Sequence, residues 1–202
     1  MAENDAKQKK ILIGIIAALV VIGGIYLVST TNNGSNAVSS DGSAEFKRGV
    51  ALAKEHKFKE ALAEYEKAAE KENMQAAYTA GWYLTQGRKG VEKDITKGMA
   101  YLKKAADAGR SEAAYVLGKA YMDPLKGVKR DYKEGIKYIK MAADKGHGTA
   151  MYVLGIYYDI GRGVEKDKEE AIEWLEKAAK TSKVKAIKDK ATARANKLRS
   201  AQ

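Results

Sequence analysis

The chain has 202 residues, with 37 Lys and Arg against 26 Asp and Glu, two histidines and no cysteine. The absence of cysteine excludes a disulfide framework and thiol catalysis, and two distant histidines leave no metal-ligand spacing. The net charge of +11 is uneven: residues 1–43 sum to zero, whereas residues 181–202 hold seven basic residues and one acid.

Residues 1–10 carry Lys7, Lys9 and Lys10, and an uncharged run from Ile11 to Val28 follows. About 20 helical residues at ~1.5 Å each span the roughly 30 Å hydrocarbon core of a bilayer, so residues 11–30 read as a transmembrane signal anchor. No Lys or Arg appears again until Lys47. Positive-inside asymmetry then makes residues 1–10 a cytoplasmic N-terminus. The remainder is expected in the periplasm or outside the cell, as a single-pass inner-membrane protein. The alternative is a cleaved secretory signal, although such signals carry an apolar run of only about 7–15 residues. Gly14 and Ala18 form a small-xxx-small pair through which two such helices could pair into an oligomer. Residues 31–43, rich in Ser, Asn and Gly, read as a flexible linker.

Beyond the linker the chain repeats itself. Ala76-Ala77-Tyr78-Thr79-Ala80-Gly81 recurs as Ala113-Ala114-Tyr115-Val116-Leu117-Gly118 and as Ala150-Met151-Tyr152-Val153-Leu154-Gly155, with the glycines 37 residues apart. A Gly-Val pair followed by Asp recurs at Gly90/Asp94, Gly127/Asp131 and Gly163/Asp167, and Ala-Ala pairs recur at 105–106, 142–143 and 178–179. A period of this length means stacked helical units, each burying its apolar face only against its neighbours.

Within a unit, Ala114, Leu117, Gly118 and Tyr121 form the stripe of a helix from about Glu112 to Met122. A glycine inside it costs about 1 kcal/mol of helix propensity, which close approach of the second helix would repay. Asp94, Asp131 and Asp167 are N-caps for that second helix. Glu134 and Glu170, three residues after the latter two, suggest capping boxes. Gly109 and Gly146 fall where a helix ends in a left-handed residue.

These residues carry a resemblance. The A-x-x-x-L-G-x-x-Y … G-V-x-x-D … K-A-A-x-x-G pattern over residues 75–180 is similar to the Sel-1-like repeat family, a relative of the tetratricopeptide repeats. Gly49, Ala61, Tyr65 and Ala68 resemble a plain tetratricopeptide unit before it. The resemblance implies an all-α, right-handed superhelical solenoid over residues 44–180. It comprises about four helix-turn-helix units, preceded here by the transmembrane helix. Its usual work is to hold other proteins.

The tail, residues 181–202, has Val184, Ile187, Ala191, Ala195 and Leu198 in one stripe on a basic helix. It reads as a capping helix that covers the last unit, or as a contact for an anionic partner. Without interleaved aromatics it offers nucleic acid no stacking platform. Ser182-x-x-Lys185 matches one motif of penicillin-binding enzymes, but its companion motifs are missing. No enzyme and no cofactor are expected.

What remains is a surface. Three residues before each landmark glycine stand Phe46, Tyr78, Tyr115 and Tyr152, and one residue after it stand Val50, Trp82, Lys119 and Ile156. On a helix these positions share a face beside the core stripe. Phe46, Tyr78, Trp82, Tyr115, Lys119, Tyr152 and Ile156 are therefore the candidate partner-binding residues, set against the reading that the rings fill the inter-repeat core. Two functions follow. One is a membrane-anchored, extracytoplasmic scaffold that binds a protein, as peptide or helix, in the groove. The other is an envelope-binding module that recognises peptidoglycan or an anionic polymer or lipid headgroup.

Overall fold

The computed structural model describes residues 41–124 and 127–201. They form helices α1 (Ser43–Lys54), α2 (Phe58–Glu70), α3 (Met74–Gln86), α4 (Ile95–Asp107), α5 (Ser111–Met122), α6 (Tyr132–Asp144), α7 (Gly148–Ile160), α8 (Lys168–Thr181) and α9 (Lys185–Ser200). Each packs chiefly on the helices before and after it in the chain, and α9 also reaches α7. This is an all-α repeat solenoid: four helix pairs, then a ninth helix.

Small residues set the spacing. Ala68, Ala69, Ala76, Ala77, Ala105, Ala106, Ala113, Ala114, Ala142, Ala143 and Ala150 are all buried where units meet. Leu102, Leu117, Ile139, Leu154 and Leu175 are buried between them, each contributing about 1.5–3 kcal/mol of apolar burial.

Within a unit the two helices cross at the landmark glycine. A Cβ on Gly118 would lie 2.8 Å from the Gly135 carbonyl oxygen and 2.8 Å from Ile139 Cγ1. The approach is reciprocal, since a Cβ on Gly135 would lie 3.0 Å from the Gly118 oxygen and 2.5 Å from Met122 Cγ. Gly81 meets Gly98 in the same way, whereas Gly155 crosses at Ala171. The propensity lost at each glycine is thus offset by backbone contact that a side chain would prevent.

The turn into each second helix is tied at both ends. Asp94, Asp131 and Asp167 accept, each at 2.9 Å, from the backbone N–H of Lys97, Glu134 and Glu170. Their own N–H groups donate back to the carbonyls of Leu84, Tyr121 and Tyr158 at 3.0–3.1 Å. The capping boxes are therefore only half formed. With the Asp N–H already satisfied by the preceding helix, Glu134 turns to Lys137 and Glu170 accepts from Trp174 Nε1. Gly109 and Gly146 end α4 and α6 at φ +88° and +86°.

Two expectations are corrected. The expected solenoid preceded by a transmembrane helix is corrected to an all-α solenoid over the described residues, among which no helix is long and apolar enough to cross a membrane. Residues 11–30, the Gly14/Ala18 pair and most of the linker lie outside the described residues. Secondly, Val184 is not part of the buried stripe of the tail. It is 52% exposed, because it precedes α9 and only its carbonyl serves the first turn.

Helix α9 keeps the register of the array. First helices begin at Met74, Ser111 and Gly148, and α9 begins one period later at Lys185. Ala191 and Ala195 bury its inner face, Arg194 pairs with Asp159 of α7, and Arg199 with Glu176 of α8. At the landmark position it carries Thr192, which is exposed.

Candidate binding grooves on the first helices

The ladder residues are all half-buried, because their face of the helix is turned partly toward the next unit. Trp82, Tyr115 and Lys119 come together in one cleft of about 330 Å³ between α3 and α5, with Leu102 and Val116 as apolar lining and Thr85, Gln86, Ala120 and Asp123 completing it. Tyr152 and Ile156 line a second cleft of about 290 Å³ with Lys190, Ala193, Arg194 and Lys197 of α9. Phe46 and Tyr78 line neither. Phe46 packs on Tyr65 at 5.6 Å between ring centres, and Tyr78 lies under the Arg110 guanidinium at 5.5 Å.

The rings of the first cleft are held from behind. Arg88 lies 4.5 Å over the Trp82 ring and 5.4 Å from the rings of both Phe58 and Tyr83. It is placed there by the turn between α3 and α4, where Val91 N–H donates to the Arg88 carbonyl at 2.8 Å. Tyr115 stacks on His147 at 4.6 Å and 18°. His147 in turn accepts at Nδ1 from Ala150 N–H at 3.1 Å, and so caps α7. Burial holds the His147 pKa below its ordinary value, against the opposing charge of Glu112, so the neutral, accepting ring is the favoured form. Lys119 bonds to Asp123, which raises the lysine pKa and lowers that of the carboxylate. The cleft is thus apolar at its base, aromatic on its walls, and charge-compensated at its rim.

Arg88, Arg110 and His147 escaped the sequence reading as supports of the ladder. A signal existed for two of them: Asn73, Arg110 and His147 stand 37 residues apart, each three residues after the last residue of a second helix. Asn73 and His147 use the place to cap the next helix, while Arg110 covers a ring. Among the described residues no cluster of His, Asp and Glu could hold a metal ion; His56 sits in the α1–α2 turn at φ +61°.

The Sel1 repeat profile matches residues 75–109, 111–147 and 148–180, which correspond to the three units that follow α1 and α2. Two solved structures are similar. One is c5321, a protective antigen present in uropathogenic Escherichia coli strains and displaying an SLR fold; it shares 29% identity over 69% of this chain and 30% of its own, with a TM-score of 0.62. The other is a Sel1 repeat protein from Oxalobacter formigenes, sharing 27% identity over 68% of this chain and 56% of its own, with a TM-score of 0.63. The chain therefore spans less than two-thirds of the length of either. No curated protein sequence matches it.

Proposed function

The chain belongs to the Sel1 repeat family, and on that premise we propose that it holds a protein partner against the first-helix face, with Trp82, Tyr115 and Lys119 as its central contacts. Sel1 repeat proteins are helical repeat scaffolds that typically mediate protein–protein interaction and are generally not enzymes. The observation that carries the reading is the 330 Å³ cleft in which Trp82 and Tyr115 meet over Leu102 and Val116. Trp and Tyr give large contact area at small entropic cost and dominate binding hot spots. Because Arg88 and His147 already fix both rings, little ordering is left to be done on binding, which favours affinity.

Site-specific photo-cross-linking in cells tests it. A photo-reactive residue replacing the exposed, groove-lining Gln86 should yield a discrete protein adduct. The same residue replacing exposed Lys140, on second helix α6, should not. Equal labelling from both positions, or from Lys140 alone, overturns the assignment of the face.

A further inference from the structure

The two clefts occupy equivalent places and differ in charge. Counted in the repeat register, Lys190, Ala193, Arg194 and Lys197 of α9 stand where Val116, Lys119, Ala120 and Asp123 stand on α5. Tyr152 and Ile156 stand where Tyr78 and Trp82 do. The same seam between neighbouring first helices is therefore charge-compensated at α3–α5 and cationic at α7–α9. In the first cleft Lys119 is answered by Asp123. In the second, Arg194 is held by Asp159, whose side chain is only 11% exposed. Lys190 and Lys197, both exposed, have no acidic partner among the described residues. Capping α8 does not explain these two lysines, since burial on that side is supplied by Ala191 and Ala195.

We infer that the α7–α9 cleft receives an acidic peptide segment, whose carboxylates meet Lys190 and Lys197 and whose apolar side chains rest on Tyr152 and Ile156. This rests on the first-helix face being the protein-binding face, and it adds the chemistry of one end of the ligand. A peptide fits better than a lipid headgroup or a phosphate polymer, because the Tyr152/Ile156 wall is satisfied only by an apolar side chain adjoining the charges. Exposed lysines act mainly through encounter rate and salt dependence rather than through large affinity gains.

The test is selection of a random peptide-display library on the full-length chain, followed by measurement of one selected synthetic peptide by fluorescence anisotropy at 50 and 300 mM NaCl. The expected binders pair an acidic run with an aromatic or bulky aliphatic residue, and bind more weakly at the higher salt. Replacing both lysines (Lys190→Gln with Lys197→Gln) should weaken binding by roughly five- to tenfold and flatten the salt dependence, as expected for two exposed charge contacts. Melting should be unchanged, since neither lysine has a native partner. If the double replacement has no effect while Trp82→Ala abolishes binding, the acidic-segment inference fails and the groove reading stands. If neither replacement matters, or the library yields no binder, both fail. Enrichment of basic peptides overturns the inference. So does sedimentation with phosphatidylglycerol vesicles that depends on the two lysines while peptide affinity does not.

Discussion

Helices α7 and α9 begin one repeat period apart, and each lies against the second helix before it, yet among the described residues only α7 is crossed by the helix after it. The difference lies at single positions. Gly155 lets the backbone of α8 approach to where a Cβ would lie 3.0 Å from the Ala171 oxygen, whereas α9 presents exposed Thr192 at the same place. Inward, both helices are apolar; outward, α9 is polar and basic. An interior unit of a solenoid is a helix with two apolar sides and no side chain at the crossing, and a terminal one has a single apolar side.

The sharpest way to break this comparison is to place leucine at both kinds of site. Gly118→Leu drives a side chain into the Gly135 carbonyl and Ile139, and overpacking against backbone should cost above about 3 kcal/mol, spreading into neighbouring units. Thr192→Leu should stay within about 0.5 kcal/mol, as surface changes do. Thermal or urea melting of the two variants checks it, and similar losses would mean that position 192 is packed as the crossing glycines are. A smaller, local effect is expected at the inner face of α9. Ala191→Asp buries an unpaired charge where the side chain is fully covered, costing about 2–4 kcal/mol or undocking the helix. Hydrogen exchange should then show α9 unprotected while α3–α6 keep their protection.

The repeat period, the crossing glycines and the capping aspartates were legible in the sequence because each is a backbone requirement met by one residue type at a fixed spacing. Their partners were not. Gly98 and Gly135 receive the crossing in two units, but Ala171 does so in the third, so no repeated glycine marks the second helix. The second half of the capping box was misread because a distant carbonyl, Tyr121 or Tyr158, had already taken the Asp N–H. Spacing along one helix does not reveal such a bond. The ladder was legible as a pattern but not as a site: four aromatics share a register, yet Trp82 and Tyr115 face one cleft while Phe46 and Tyr78 are taken up by Tyr65 and Arg110.

A pH experiment sharpens the contrast between the two helix caps that occupy the same register. Asn73 caps α3 with an amide, and His147 caps α7 with an imidazole that must be neutral to accept. Burial depresses the folded pKa of His147, so the unfolded chain binds the proton more readily. The stabilisation is full above the unfolded value of about 6.5. It is lost as pH falls through the lower folded value. His147→Asn, which keeps a good cap, should abolish this acid-side loss between pH 7 and 5. The loss is read as the difference between the two melting profiles. Profiles that remain parallel would show that His147 does not titrate against folding.

The central claim is that Trp82 and Tyr115 form a binding wall rather than core. Trp82→Ala and Tyr115→Ala are therefore measured together for melting and for the yield of the cross-link from position 86. Losing a half-buried ring together with its Arg88 or His147 contact should cost each variant about 1.5–2.5 kcal/mol, while the adduct falls at least tenfold in the fully folded protein. A loss of about 3–5 kcal/mol, the cost of truncating a buried large aromatic, with the adduct undiminished in the folded fraction, would contradict it.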